Sequence, residues 1–286
     1  MNETVERMLP LYEAKMIHQF DHRWATYEPD GTVRDVTLAE KQDPSFVALP
    51  RYWVREEVVA DRLAEKNDLL VGVRDITNST NERTVIASFF PWSAVGNNLP
   101  LILDVPVESR LRLIAYLSSF ALDFIARPKV GGVHLNFFIA NQLAVPEPEQ
   151  LQGSTAWCEN LGAWIDSRVV RLISDNTEIA SALNVPLTTY DAGQQESIRA
   201  ELDAAVFQLL SIGRDDVEYI LETFPIVKRK DVVRHGSYVT KERILSVYDS
   251  MQRAIDSGQL YISPLEGLLV EAAEVNARHR GGASND

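Results

Sequence analysis

Apolar residues recur at helical spacing most clearly over residues 108–126, where Leu111, Ile114, Leu117, Ala121, Phe124 and Ile125 share one face. Arg127-Pro128 closes the run, because a proline disfavours helical geometry in the residue before it. Two denser apolar runs, 69–74 and 84–90, read as buried strands. Their polar connector, 75–83, is long for a tight hairpin and so is a loop available to a ligand. Upstream, Pro29-Asp30-Gly31 is a turn signal between the aromatic-rich stretch 12–27 and the alternating 32–37, which predicts strand, turn, strand. A short helix is predicted over 55–65. A glycine turn over 129–133 is expected to lead into a strand at 134–139 and an extended exit at 144–148.

The second half reads as helical. Ile198, Leu202, Ala205, Val206 and Leu209 make one amphipathic run over 195–210, with Gly213 as its expected end. A helix over 214–224 carries Asp215 and Asp216 in its first turn, where carboxylates suit the helix dipole, and Pro225 is expected to stop it. A further helix over 240–256 begins at a Thr240 cap, and the tail beyond Ala277 is expected to fray. The predicted class is α+β: a mixed-β domain at 1–150 that includes the long packed helix, then a mainly helical domain at 151–286.

Composition adds limits rather than identity. With 286 residues, 45% hydrophobic and 24% charged, the chain has ordinary globular balance and room for two modest domains. No basic-then-apolar leader opens it, and no apolar run approaches the roughly 20 residues of a membrane span. A single cysteine, Cys158, removes any internal disulfide and fits a reducing compartment or a small buried apolar role. The cytoplasm is therefore the expected location.

Charge separates the chain from a typical nucleic-acid binder, since 28 basic against 41 acidic residues leave a net charge of -13. One stretch inverts the sign: between Pro225 and Arg243 stand Lys228, Arg229, Lys230, Arg234, Lys241 and Arg243 against only Asp231 and Glu242. Catalytic signatures are missing from the sequence: no Walker A motif, GxGxxG, HExxH, GxSxG or zinc-type cysteine pair occurs. His18 and His22, four apart, would share a metal only on a helix, and Gln19 stands where a metalloprotease pattern needs glutamate. Asp43-Pro44-Ser45-Phe46 has serine at the second proline of an amino-methyltransferase loop and reads as a surface turn.

Three stretches carry a family likeness in order: Leu11-Tyr12-Glu13-Ala14-Lys15-Met16-Ile17-His18-Gln19-Phe20-Asp21-His22-Arg23; Val71-Gly72-Val73-Arg74-Asp75-Ile76-Thr77 with Asn81-Glu82-Arg83-Thr84; and Arg127-Pro128-Lys129-Val130-Gly131-Gly132-Val133-His134-Leu135-Asn136-Phe137-Phe138. Together they resemble the region C-terminal to the catalytic domain of type IIG-like restriction-modification and phage-defence N6-adenine DNA methyltransferases. A later pair, Glu201-Leu202-Asp203-Ala204-Ala205-Val206-Phe207 and Thr223-Phe224-Pro225-Ile226-Val227-Lys228-Arg229-Lys230-Asp231, resembles the closing segment of the same proteins. The exit Leu143-Ala144-Val145-Pro146 is similar to a strand ending recognition domains of type I specificity subunits. In that family methyl transfer sits upstream, in a Rossmann-like domain with a cofactor loop and an Asn-Pro-Pro-aromatic motif that has no counterpart here. The resemblance thus implies a target-recognition domain at 1–150, double-stranded DNA as ligand, and a methyltransferase catalytic domain or subunit as partner. S-adenosylmethionine would belong to that partner, and this chain would hold no cofactor and transfer no methyl group alone.

The residues that the resemblance brings forward for DNA contact are Lys15, His18, Gln19, His22, Arg23, Arg74, Arg83, Arg127, Lys129, His134, Asn136, Lys228, Arg229 and Lys230. Their chemistry is apt, since Arg and Lys pair with guanine or phosphate and Gln and Asn with adenine. Each has a plainer reading. Alternation across 15–23 puts Ile17 and Gln19 on one face and His18 and His22 on the other, where core hydrogen bonding or solvation would serve as well. Arg74 and Arg83 either clamp phosphate or pair with Asp75 and Glu82; Arg127 and Lys129 suit a helix C-terminus in any case. Lys228 to Lys230 either meet phosphate or form a solvated loop. The five tryptophans are dispersed and read as core or interface. Two other functions compete: an acidic protein-interaction module of a defence complex that does not touch DNA, and a hydrolase using His18, His22 and Asp21.

Overall fold

The computed structural model describes residues 6–63 and 69–269. In chain order the strands and helices are β1 (Met8–Tyr12), β2 (Ala25–Tyr27), β3 (Val33–Asp35), α1 (Leu38–Gln42), β4 (Trp53–Arg55), α2 (Glu56–Ala60), β5 (Leu69–Val73), β6 (Ala87–Pro91), β7 (Ala94–Val95), α3 (Val107–Leu117), α4 (Phe120–Ala126), α5 (Phe137–Ala140), α6 (Leu161–Ile173), α7 (Thr177–Leu183), α8 (Ala192–Leu209), α9 (Arg214–Glu222), α10 (Pro225–His235) and α11 (Val239–Ser257). The class is α+β, with small sheets first and helices after. The tail beyond Ala277 lies outside the described residues. Among the described residues no helix is long and apolar enough to cross a membrane.

The chain divides into two compact units that alternate along the sequence: 1–76, 86–105 and 173–189 form one, and 77–85, 106–172 and 190–286 the other. The expected boundary near residue 150 is not where this division falls. The apolar helix at 108–126 belongs with the C-terminal helices, and α7 belongs with the strands.

In the first unit, β1 pairs antiparallel with β4 and parallel with β7. β2 and β3 form the hairpin predicted around Pro29-Asp30-Gly31, with Gly31 at φ 82°. Thr37 and Glu40 close a reciprocal capping box on α1. β5 and β6 pair antiparallel, Val71 opposite Phe89 and Gly72 opposite Ser88. Leu9, Tyr12, Met16, Ile17, Leu70, Phe90, Trp92 and Leu99 form the core, where Tyr12 stacks on Phe90 at 4.9 Å between ring centroids. Gly72 is required by close approach: a Cβ there would stand 2.8 Å from both Leu99 Cδ1 and Phe90 Cε1.

The second unit packs helix on helix. α8 is its axis, buried at Leu202, Asp203, Ala204, Ala205 and Phe207, and it runs against α11 and also meets α3 and α4. The single helix expected at 108–126 is two. Ser118 and Ser119 interrupt it, Ser119 Oγ caps α4 by accepting from Leu122 N at 3.2 Å, and the Phe120 N–H donates to Asp203 at 2.7 Å. The predicted strand at 134–139 is instead a loop and the short α5, because the side-chain carbonyl oxygen of Asn136 accepts from Ile139 N at 3.0 Å and starts a helical turn. Pro225 ends α9 and also begins α10, a first-turn position where its missing N–H costs nothing. Gly213 stands before α9 rather than closing α8, and Thr240 does not cap α11, whose N-cap is Tyr238; the Thr240 N–H donates to Asp231 instead.

Gly72→Ala is expected to lower the stability of the protein by about 1–3 kcal/mol through overpacking against Leu99 and Phe90, read from urea unfolding. A neutral result would show that these side chains yield.

Candidate functional site

The stretch 11–23 does not form an alternating strand. A 3-10 turn at Ala14–Met16 and a bridge between His18 and Asp21 fold it back on itself, so its polar side chains divide by burial rather than by parity. Arg23, 2% exposed, donates to the carbonyls of Asp43 at 2.8 Å, Lys41 at 3.1 Å and Asp175 at 3.3 Å, and it pairs with the Asp175 carboxylate at 3.4 Å. It fastens loops of the first unit and has no face for DNA. Gln19 is buried. His22 is buried too, with Nδ1 3.1 Å from the Tyr12 hydroxyl. Burial first, and the Arg23 guanidinium second, push its imidazole down to about 3, against the pull of Asp21. Burial also acts to raise the Asp21 carboxyl, but the Lys41 ammonium overrides it and holds it below the usual carboxylate range. His18 is half-buried, its ring 4.3 Å from that of Trp24. Only Lys15 of this group is exposed, 4.9 Å above the Tyr27 ring.

Arg83, expected on a ligand-facing loop, is likewise structural. Its Nε donates to Asp123 at 2.6 Å and its Nη2 to the Ser118 carbonyl at 2.6 Å, while its guanidinium lies 4.0 Å over the Phe120 ring. Asp123, fully buried, also accepts from Thr84 N at 2.9 Å. Arg127 lies 3.9 Å over Phe224 and donates to the carbonyls of Asn81, Glu82 and Thr223. Arg83 does not use Glu82, the acid next to it in sequence, and Arg127 also stands 3.7 Å from Asp123, four residues before it. Nearby, burial pushes the Asp203 carboxyl up to about 6 although Arg83 draws it down.

Beyond Arg127 the second unit becomes open. Lys129, Gly131, Gly132, Val133, His134, Asn136, Phe137 and Phe138 are all exposed, the two phenylalanines at 70% and 75%. Residues 124–146 contain no Asp or Glu, although the chain carries 41. Asn141 and Gln142 present further exposed amides. The Thr77 N–H donates to the Val133 carbonyl at 3.0 Å, which ties this segment to the connector that Asp123 holds. The basic run on α10 is more compensated than its sequence suggests. Lys228 pairs with Glu222 at 2.7 Å, Lys230 with Glu82 and Arg234 with Glu196 at 3.2 Å, whereas Arg229 is exposed and forms no ion pair among the described residues.

In the first unit a cavity of about 370 Å³ brings together two expected residues from separate stretches, Lys15 and Arg74, with Glu13, Tyr52, Asn97 and Asn98. Arg74 donates from Nε to the Ala14 carbonyl at 2.9 Å and from Nη2 to that of Ile17 at 2.5 Å. Its position in the lining follows from the end of β5, and that of the two asparagines from the turn after β7. The asparagines have a sequence signal, a Gly-Asn-Asn turn between apolar runs; Tyr52 has none. The exposed Phe137 and Phe138 are announced only by a capping asparagine before them and the lack of acids around them.

Comparisons of the chain with protein-family models, with curated proteins and with solved structures match nothing.

The buried charges set two expectations. Arg83→Met removes the shortest ion pair of the buried Asp123, leaving Arg127 at 3.7 Å, and is expected to cost about 3 kcal/mol in urea unfolding, with Arg83→Met, Asp123→Leu recovering part of the loss. For His22, the folded value near 3 lies below the unfolded value near 6.5, so the unfolded chain takes up the proton first and stability falls as pH drops through this window. From pH 6.5 to 5 this amounts to about 2 kcal/mol, and His22→Gln is expected to remove that slope from the unfolding free energy.

Proposed function

We propose that this chain is the DNA sequence-recognition portion of an adenine-specific restriction-modification or phage-defence methyltransferase, with methyl transfer and S-adenosylmethionine supplied by a partner domain or subunit. The observation that carries the reading is the open segment 124–146 on an otherwise acidic protein: no carboxylates, a glycine pair, exposed Lys129 and His134, three exposed amides and two exposed phenylalanines. Cations there neutralise phosphate, the glycines let backbone approach a groove, and Asn141 and Gln142 have the donor and acceptor pair that reads adenine. An exposed Phe-Phe step has the form of an apolar wedge that enters between bases. The family likeness of the three stretches supports the same assignment. Arg23, Arg83 and Arg127 then contribute by holding the fold, and Lys129, His134 and Arg229 by meeting DNA.

A second reading has its own observation. Val133, Phe137, Phe138 and Val145 expose apolar area together on the same segment, which suits a protein partner as well as a wedge. Selection from randomised duplexes at two salt concentrations separates the readings. A sequence-recognition module enriches one short motif, and Lys129→Glu lowers its salt slope by about 1 for each phosphate no longer neutralised. Phe137→Ala with Phe138→Ala is expected to weaken binding while leaving the slope unchanged. No duplex binding at low salt would discard the DNA reading in favour of the protein partner.

A further inference from the structure

We propose that the cavity in the first unit is a binding site for one nucleotide, held by its phosphate. The inference deepens the recognition reading, on which it rests only for the source of the ligand.

Arg74 anchors the site. It is half-buried, its two bonded nitrogens face backbone carbonyls, and it forms no ion pair among the described residues. A guanidinium in this position keeps its charge without a carboxylate to balance it, and burial accordingly lowers its proton affinity. The two carbonyls also fix the fork: Arg74 cannot swing out to water without releasing Ala14 and Ile17. Lys15 lies on the same 3-10 turn and lines the same cavity, exposed and without an ion pair among the described residues. Among the described residues of the lining Glu13 is the one carboxylate, and it accepts from the Tyr27 hydroxyl. Two cations therefore face one acid that is already engaged, on a protein whose net charge is -13.

That charge balance selects an anion, and the remaining lining selects its kind. Asn97 and Asn98 supply amides able to donate and accept along the edge of a base. Tyr52, half exposed with the Arg51 guanidinium 5.3 Å from its ring centroid, supplies an aromatic wall for stacking. A volume of about 370 Å³ is at the small end of ligand pockets, in keeping with one nucleotide rather than an oligomer. The phosphate would meet Lys15 and Arg74 by charge-assisted hydrogen bonds, the strongest polar contacts on offer there.

The ligand has two sources, a free mononucleotide or a nucleotide turned out of a strand. Calorimetric titration of the full chain with adenosine 5′-monophosphate, adenosine and inorganic phosphate covers the first. Titration with a fully paired duplex and the same duplex carrying one unpaired adenosine covers the second. The variants are Lys15→Glu and Asn97→Ala, both at exposed positions, with thermal melting as the check on folding. The expected result is that the mononucleotide, or the duplex with the unpaired base over the paired one, binds at least about tenfold better than adenosine or the paired duplex, and that Lys15→Glu removes the difference. Mononucleotide binding without any duplex binding keeps the pocket and discards the DNA reading. Paired-duplex binding that neither an unpaired base nor either variant alters overturns the pocket and leaves the DNA reading in place. Failure of every ligand overturns both.

Discussion

The second unit is organised around the carboxylate of Asp123. It is fully buried on α4, where the Arg83 guanidinium and the Thr84 N–H are brought to it and Arg127 stands 3.7 Å away. Arg83 and Thr84 both come from the connector between β5 and β6, so the charge requirement of one side chain decides where a nine-residue polar segment, 77–85, must lie. The arginines that accompany it are then sandwiched with aromatic rings: Arg83 over Phe120, Arg127 over Phe224, and Phe120 edge-on to Phe224 at 4.7 Å. Cations in such a place lose water and regain it as ring and carbonyl contacts. The far end of the connector, Thr77, holds Val133, and the open segment is anchored both by this contact and by its own buried Val130 and Leu135.

The first unit solves a related problem with backbone acceptors. Arg23 and Arg74 between them satisfy carbonyls at Asp43, Lys41, Asp175, Ala14 and Ile17, in the last turn of α1, a 3-10 turn and loops, where the oxygens have no strand partner. Short strands and 3-10 turns are stable under these conditions because a guanidinium carries five donors in a fixed fork and can replace several ladder bonds at once. The same geometry leaves a cavity where the turn at Ala14–Met16 passes β5. In the proposed site a structural arginine and a binding arginine would be one residue, since Arg74 turns two nitrogens to the backbone and also lines the cavity.

Functionally, the arginines and lysines sort by what neutralises them. Those met by carbonyls and buried carboxylates hold the chain together; those on α10 are mostly met by surface carboxylates, which salt would screen and a phosphate would displace at modest cost. Lys129 and Arg229 are the exposed cations of the second unit that the sequence brought forward and that the fold leaves without an ion pair among the described residues. On the proposed reading, a strongly acidic protein with such a local opening would repel polyanions elsewhere and admit them at one segment, which favours orientation over affinity.

Helices with long apolar periods, the hairpin at Gly31, the paired runs of β5 and β6 and the α+β class were legible in the sequence, because each depends on side-chain periodicity or on one turn residue. The break at Ser118-Ser119 was not, since Asp203 stands 83 residues from the N–H it captures. Nor could local reading assign Arg23, Arg74, Arg83 and Arg127 to the interior: a guanidinium has the same pattern signal whether it meets a phosphate, a distant carboxylate or a carbonyl. The alternating membership of the two units has the same origin. The sequence by itself determined which segments could be helix or strand and which residue types could meet an anion; the tertiary structure alone decided which of those charges were already neutralised, because ion pairing depends on distances in space that sequence spacing does not encode.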